Sequence, residues 1–107
     1  MTTVLIKKTK GGYQGFTCTG HSGYARSGSD IVCSAVSVLV INTINAMEKF
    51  ADEQMEIIAG DEDGVIDVTF ANPLNEKGKL LMDTMVLGLE SIEQQYRKYL
   101  RLKFEEV

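Results

Sequence analysis

The apolar positions change their period several times along the chain, and each change marks an element. Thr3 to Lys8 is a short run with β-branched residues, stopped by Lys10-Gly11-Gly12, and predicts a strand. Tyr13 to Thr19 predicts its hairpin partner, with Phe16 and Cys18 on one face and Thr17 and Thr19 on the other. From Gly20 to Gly28 nothing aliphatic is larger than alanine, and three glycines and two serines predict a loop. Apolar residues then fall on nearly every side of a helix from Ile31 to about Phe50: Val32, Ala35, Val36, Val38, Leu39, Val40, Ile41, Ile44 and Met47. Such a helix is expected to be buried on most sides, and one small domain does not readily cover it. Asp30 stands where an N-cap would, able to accept from the free amides of Val32 and Cys33.

Met55 to Ala59 and Val65 to Phe70 predict a second hairpin around the acidic turn Gly60-Asp61-Glu62-Asp63-Gly64. Asn72-Pro73 breaks the pattern. From about Asn75 to Tyr96, Leu81, Met85, Leu89, Ile92 and Tyr96 form one helical stripe. The alternation Leu100-Arg101-Leu102-Lys103-Phe104-Glu105 predicts a last strand. The order ββαββαβ implies an α+β fold, with two helices packed on a mostly antiparallel sheet. The length of 107 residues suits one domain, spanning 1–107.

Charge narrows the partners. Fifteen acidic against 11 basic side chains give a net charge of −4. That balance disfavours direct binding of nucleic acid, which a basic face normally drives, and leaves open a basic peptide or ribosomal protein. The most apolar stretch, Ile31 to Ile41, has 11 residues and contains two serines, whereas a membrane span needs about 20. The start, MTTVLIKKTK, lacks the order of a secretion signal. A cytoplasmic protein with reduced thiols is therefore expected. The acidic turn lacks the spaced ligands of a calcium loop. One histidine and two cysteines without tight spacing do not make a zinc site.

The chemistry concentrates in GHSGYARSGSDIVCSAVS, Gly20 to Ser37. The single histidine, His21, ends a strand. A glycine-rich loop follows, and Cys33 falls in the expected first turn of a helix. The positive end of a helix dipole and its free amides stabilise a thiolate there. An imidazole within reach would lower the thiol pKa and carry the proton to a leaving amine. The first-turn amides could also hold an oxyanion. Bland readings fit the same residues. Cys33 suits a small buried hydrophobe, Asp30 a plain cap, and Ser37 either a donor to the thiol or a bond to the preceding turn. Cys18 reads as core, with a Cys18–Cys33 bridge as the alternative.

The combination GH-x-GYA followed by G-x-DIVC-x-AVS resembles the signature of the ribosomal-processing cysteine protease family, the Prp or YsxB-like proteins. Length and element order agree with it over essentially the whole chain. The resemblance implies a cysteine endopeptidase that removes an N-terminal extension from a ribosomal protein precursor of the large subunit, with no metal or organic cofactor. It places the catalytic dyad on Cys33 and His21, with Asp30 and Ser37 in support. The family's loop glycines fall on Gly20, Gly23 and Gly28, and Tyr24 is the loop's one sizeable apolar anchor for a substrate. The loop Ser22–Ser29 is expected to gate the site. The family's dimeric state suits the all-round apolar helix, so a homodimer is expected. The competing reading is a ribosome-assembly or ribosomal-protein-binding factor without enzymatic activity. A thiol redox protein fits less well, because no C-x-x-C pair is present.

Overall fold

The computed structural model describes residues 1–20, 27–60 and 65–107, with side-chain surroundings for all of these except 27–30. Most of the expected loop and the acidic turn lie outside the described residues.

β1 (Thr2–Thr9) and β2 (Gly12–Thr19) form the expected hairpin. Alternation does the sorting: Thr2, Val4 and Ile6 are buried on one face of β1, and Phe16 and Cys18 on the same face of β2. Cross-strand pairs align these residues, Val4 with Cys18 and Ile6 with Phe16. β2 pairs on its other side with β4 (Val65–Phe70), Phe16 opposite Val68, and β4 pairs with β3 (Met55–Gly60). β5 (Leu100–Glu106) lies beside β1 in parallel, giving the order β3-β4-β2-β1-β5. One parallel pair in four makes the sheet mixed and mostly antiparallel, as expected.

Two helices complete the fold. α1 (Ser27–Phe50) carries the chain from β2 to β3, and α2 (Glu76–Gln95) carries it from β4 across β2 and β1 to β5. Crossovers of this kind are what strands running in the same direction require. α1 buries the stripe Val32, Val36, Val40, Ile44 and Met47, spaced three or four residues apart. α2 buries Met82, Met85, Val86 and Leu89 into the same core as Phe16, Val68 and Leu100. Asn75 caps α2: its side-chain oxygen accepts from the Gly78 amide at 2.8 Å, and its side-chain nitrogen donates to the Ala51 carbonyl at 2.7 Å.

Two expectations are corrected. α1 begins at Ser27, so Ser27 and Gly28 belong to the helix and not to the loop before it. Asp30 is therefore its fourth residue and not its N-cap. Ser27, Gly28, Ser29 and Asp30 carry no β-branched or bulky side chain to oppose an early start, and a boundary among several cap-competent residues is not fixed locally. Within one chain α1 is only partly covered, as expected of an all-round apolar helix in a small domain. Ile31, Val38, Ile41 and Phe50 are exposed, Val38 at 68%. By length and composition Ile31–Phe50 would suit a membrane, at mean hydropathy 1.6. Its buried stripe instead packs over the sheet.

Candidate active site

At one end of the sheet, a cavity of about 260 Å³ opens between α1 and the strands. α1 contributes Cys33, Val36 and Ser37. The start of β1 contributes Thr2, and the end of β2 contributes Cys18 and the following Gly20. Ala59 and Gly60 from β3, with Val65 and Ile66 from β4, close it below. Cys33 is half-buried, one position from the buried Val32 on the helix surface, so its thiol borders the cavity without being sealed in the core. Ser37 follows one turn later on the same side, as helical spacing requires.

Gly20 has a φ of +85°, a left-handed conformation that favours glycine, and a Cβ there would overlap the Met1 carbonyl oxygen. Only a residue without a side chain lets the end of β2 pass this close to the start of β1. That passage brings Gly20 to the cavity wall.

The helix correction changes the electrostatics of Cys33. With Ser27 as first residue, Cys33 is the seventh, in the second turn of α1. Its amide has a carbonyl four residues earlier to bond, and the dipole's influence is concentrated in the first turn. The first-turn oxyanion and thiolate arguments therefore do not apply to the Cys33 amide.

The structure brings Cys33, Ser37 and Gly20 together around one cavity. His21, Gly23 and Tyr24 lie outside the described residues, as does most of the expected gate, and the side chain of Asp30 is likewise not described. The sequence offered the nearness of the two cysteines only through the alternative of a Cys18–Cys33 bridge. Cys18, correctly expected in the core, also lines the cavity of Cys33. Both thiols are free. Burial pushes the Cys18 thiol up to about 11, and charge on Cys33 adds to the effect. Alternation in β2 points Cys18 inward, but no local signal says which turn of α1 sits above it. A larger hollow, about 460 Å³, lies at the opposite end of the strands among Lys8, Tyr13, Lys79 and Asp83, and holds neither cysteine.

Comparison with known proteins gives consistent matches. The family model described as "Cysteine protease Prp" matches residues 1–101. The ribosomal processing cysteine protease Prp of Bacillus subtilis is 32% identical over 95 residues, covering 85% of each chain. Its Staphylococcus aureus counterpart is 28% identical over 86 residues, covering 80% of this chain and 81% of that one. Among solved structures, the S. aureus ribosomal processing protease Prp with a covalently linked product peptide superposes with a TM-score of 0.89 at 27% identity, covering 98% of this chain and all of that one. The same protease with a substrate peptide gives 0.90 at 25% identity, with the same coverage.

Proposed function

Because this chain belongs to the Prp family of cysteine proteases, we propose that it removes the N-terminal extension of a large-subunit ribosomal protein during ribosome maturation. Residues 1–107 then act as one protease domain. The observation that carries this reading is that Gly20, covalently joined to His21, lines the same cavity as the Cys33 thiol. A base one residue beyond a cavity-lining backbone is well placed to serve a nucleophile on the same cavity. The relatives' activity, and the peptides bound to the S. aureus protease, support the substrate class.

In this mechanism His21 takes the thiol proton, and the Cys33 sulfur attacks the scissile carbonyl carbon. The tetrahedral adduct collapses to a thioester as the C–N bond breaks. The imidazolium protonates the departing amine. Water, deprotonated by the same imidazole, then hydrolyses the thioester and restores the thiol. Ser37, one turn from Cys33 on the cavity wall, is placed to steady the nucleophile by hydrogen bonding. Asp30 acts through the early helix and not as its cap. No metal or organic cofactor enters any step.

The substrate reading places the enzyme in the cytoplasm, where ribosomal proteins are made. The exposed α1 residues Ile31, Val38 and Ile41 support a homodimer, because a cluster of large apolar side chains is better covered than solvated. The decisive experiment incubates the protein with a peptide spanning the extension junction and reads the products by mass spectrometry. Cleavage at one bond, lost in Cys33→Ala, is expected. An intact peptide with native protein would overturn the substrate assignment.

A further inference from the structure

The thiol that the mechanism leaves unused lines the same cavity as the one it needs. Cys18 is buried on the helix-facing side of β2, Cys33 is half-exposed on α1, and both border a single cavity of about 260 Å³. From this arrangement we propose that Cys18 and Cys33 form a reversible oxidative modification site, in which peroxide converts the pair to a disulfide that silences the protease.

The two thiols differ in the ways such a site requires. Cys33 is open to a small oxidant entering the cavity. Cys18 is 7% exposed, and its burial favours the protonated thiol. A protonated, shielded thiol is slow to react with peroxide directly. The Cys33 thiolate attacks one oxygen of hydrogen peroxide. The O–O bond breaks, hydroxide leaves, and the sulfur is oxidised by two electrons to a sulfenic acid. The Cys18 sulfur then attacks the Cys33 sulfur. The S–S bond forms as the S–O bond breaks, and the departing hydroxide takes the Cys18 proton to leave as water. In sum, two thiols and one peroxide give one disulfide and two waters.

The wall of the cavity favours this outcome over further oxidation. Val36, Val65 and Ile66 make it largely apolar around the two sulfurs, so the sulfenic acid has a thiol as its neighbour. A disulfide needs Cα atoms within about 7 Å, so formation of the bond reports directly on the approach of β2 and α1. Because a reductant reverses the bond, oxidation would pause the enzyme without destroying it.

The proposal rests on Cys33 being the nucleophile only for its effect on cleavage; the bond itself is read independently. The experiment treats the purified protein with hydrogen peroxide at neutral pH, blocks free thiols by alkylation, and maps peptides by mass spectrometry. A linked Cys18–Cys33 peptide, with a chain lighter by two hydrogens, is expected. Cleavage should fall in step with that species and return with dithiothreitol. In Cys18→Ser, and in Cys18→Ala as a check on folding, the same treatment should drive Cys33 to sulfinic acid, and dithiothreitol should no longer restore cleavage. The native protein giving sulfinic acid at Cys33 with Cys18 still alkylatable would overturn the proposal, as would a bridge only between separate chains. A linked peptide with undiminished cleavage would support the bond and instead overturn Cys33 as nucleophile.

Discussion

The Tyr13 hydroxyl on β2 donates a hydrogen bond to the Asp83 carboxylate on α2, fastening the sheet to the second helix across 70 residues of sequence. The Lys8 ammonium lies 5.5 Å from the centre of the same ring. This contact is at the start of β2, and the Cys33 cavity is at its end, about 17 Å away for five residues of strand. Tyr13→Phe should therefore lower stability by about 0.5–1 kcal/mol, the small end for a partly solvated bond, and leave peptide cleavage unchanged. Urea unfolding and a cleavage assay on the same sample check both halves.

The pH response of that contact has a definite sign. Burial, then the bond to Asp83 and its charge, raise the Tyr13 pKa above its ordinary value of 10.0. The folded state thus holds the phenolic proton longer than the unfolded chain. Stability is flat below about pH 10 for this group and falls as pH rises above it. Tyr13→Phe should flatten that alkaline decline; an unchanged slope would show that the hydroxyl is not held by Asp83.

Cys18 contributes a second alkaline decline at lower pH. Its thiol is raised from 9.0 to about 11. By the same linkage, its contribution is intact below pH 9 and is lost as pH rises toward 11. Cys18→Ala should remove this segment of the curve. Thermal melts at half-unit pH steps, under reducing conditions, separate it from Tyr13.

Two glycines with nearly the same φ should respond differently to alanine. Gly11 has φ +84° with open space where a methyl would go, and Gly20 has φ +85° with the Met1 carbonyl oxygen in that space. Gly11→Ala should cost about 1–2 kcal/mol, the left-handed penalty alone. Gly20→Ala should cost more and also reduce cleavage, since it displaces the chain just before His21. Equal stability losses, or normal cleavage in Gly20→Ala, would contradict the close passage of β1 and β2.

Replacing Val38, the most exposed of the α1 aliphatics, tests the dimer. Light scattering of the native protein should give about twice the 11.8 kDa of one chain. Val38→Asp should shift it to the monomer mass without loss of helix content, because the side chain does not enter the core. A native mass near 11.8 kDa would remove the dimer.

The sequence carried most of the elements, because their signals are local. β4 is found at the expected Val65–Phe70, and β1, β2, β3 and β5 within a residue or two of their expected ends. Asn75 could be read as the start of α2 because a side chain that caps is chemically distinct from its neighbours. What was not legible is what depends on distant residues. An all-round apolar α1 does not say which stripe faces the sheet, and only packing selects Val32, Val36 and Val40. Four successive cap-competent residues do not say where α1 begins. The alternation in Leu100–Glu105 gives a strand but not its partner. At the site, the motif singled out Cys33 and Ser37, which do share a cavity, but their meeting with Thr2, Ala59 and Cys18 is purely tertiary.

The parallel seating of β5 beside β1 has a consequence for a newly made chain. The Thr2 amide, on a residue that lines the Cys33 cavity, donates to the Tyr99 carbonyl at 2.9 Å, and Thr2 pairs with Leu100. The first strand therefore waits for the last. During synthesis β1 has β2 on one side and an open edge on the other, and the pairing that closes it joins the most distant parts of the chain, the slowest kind of contact to form. The outer edge of β1, whose Thr2 lines the Cys33 cavity, is closed only after residue 100 has emerged. Until then Thr2 lines the cavity from a strand whose outer edge has no partner.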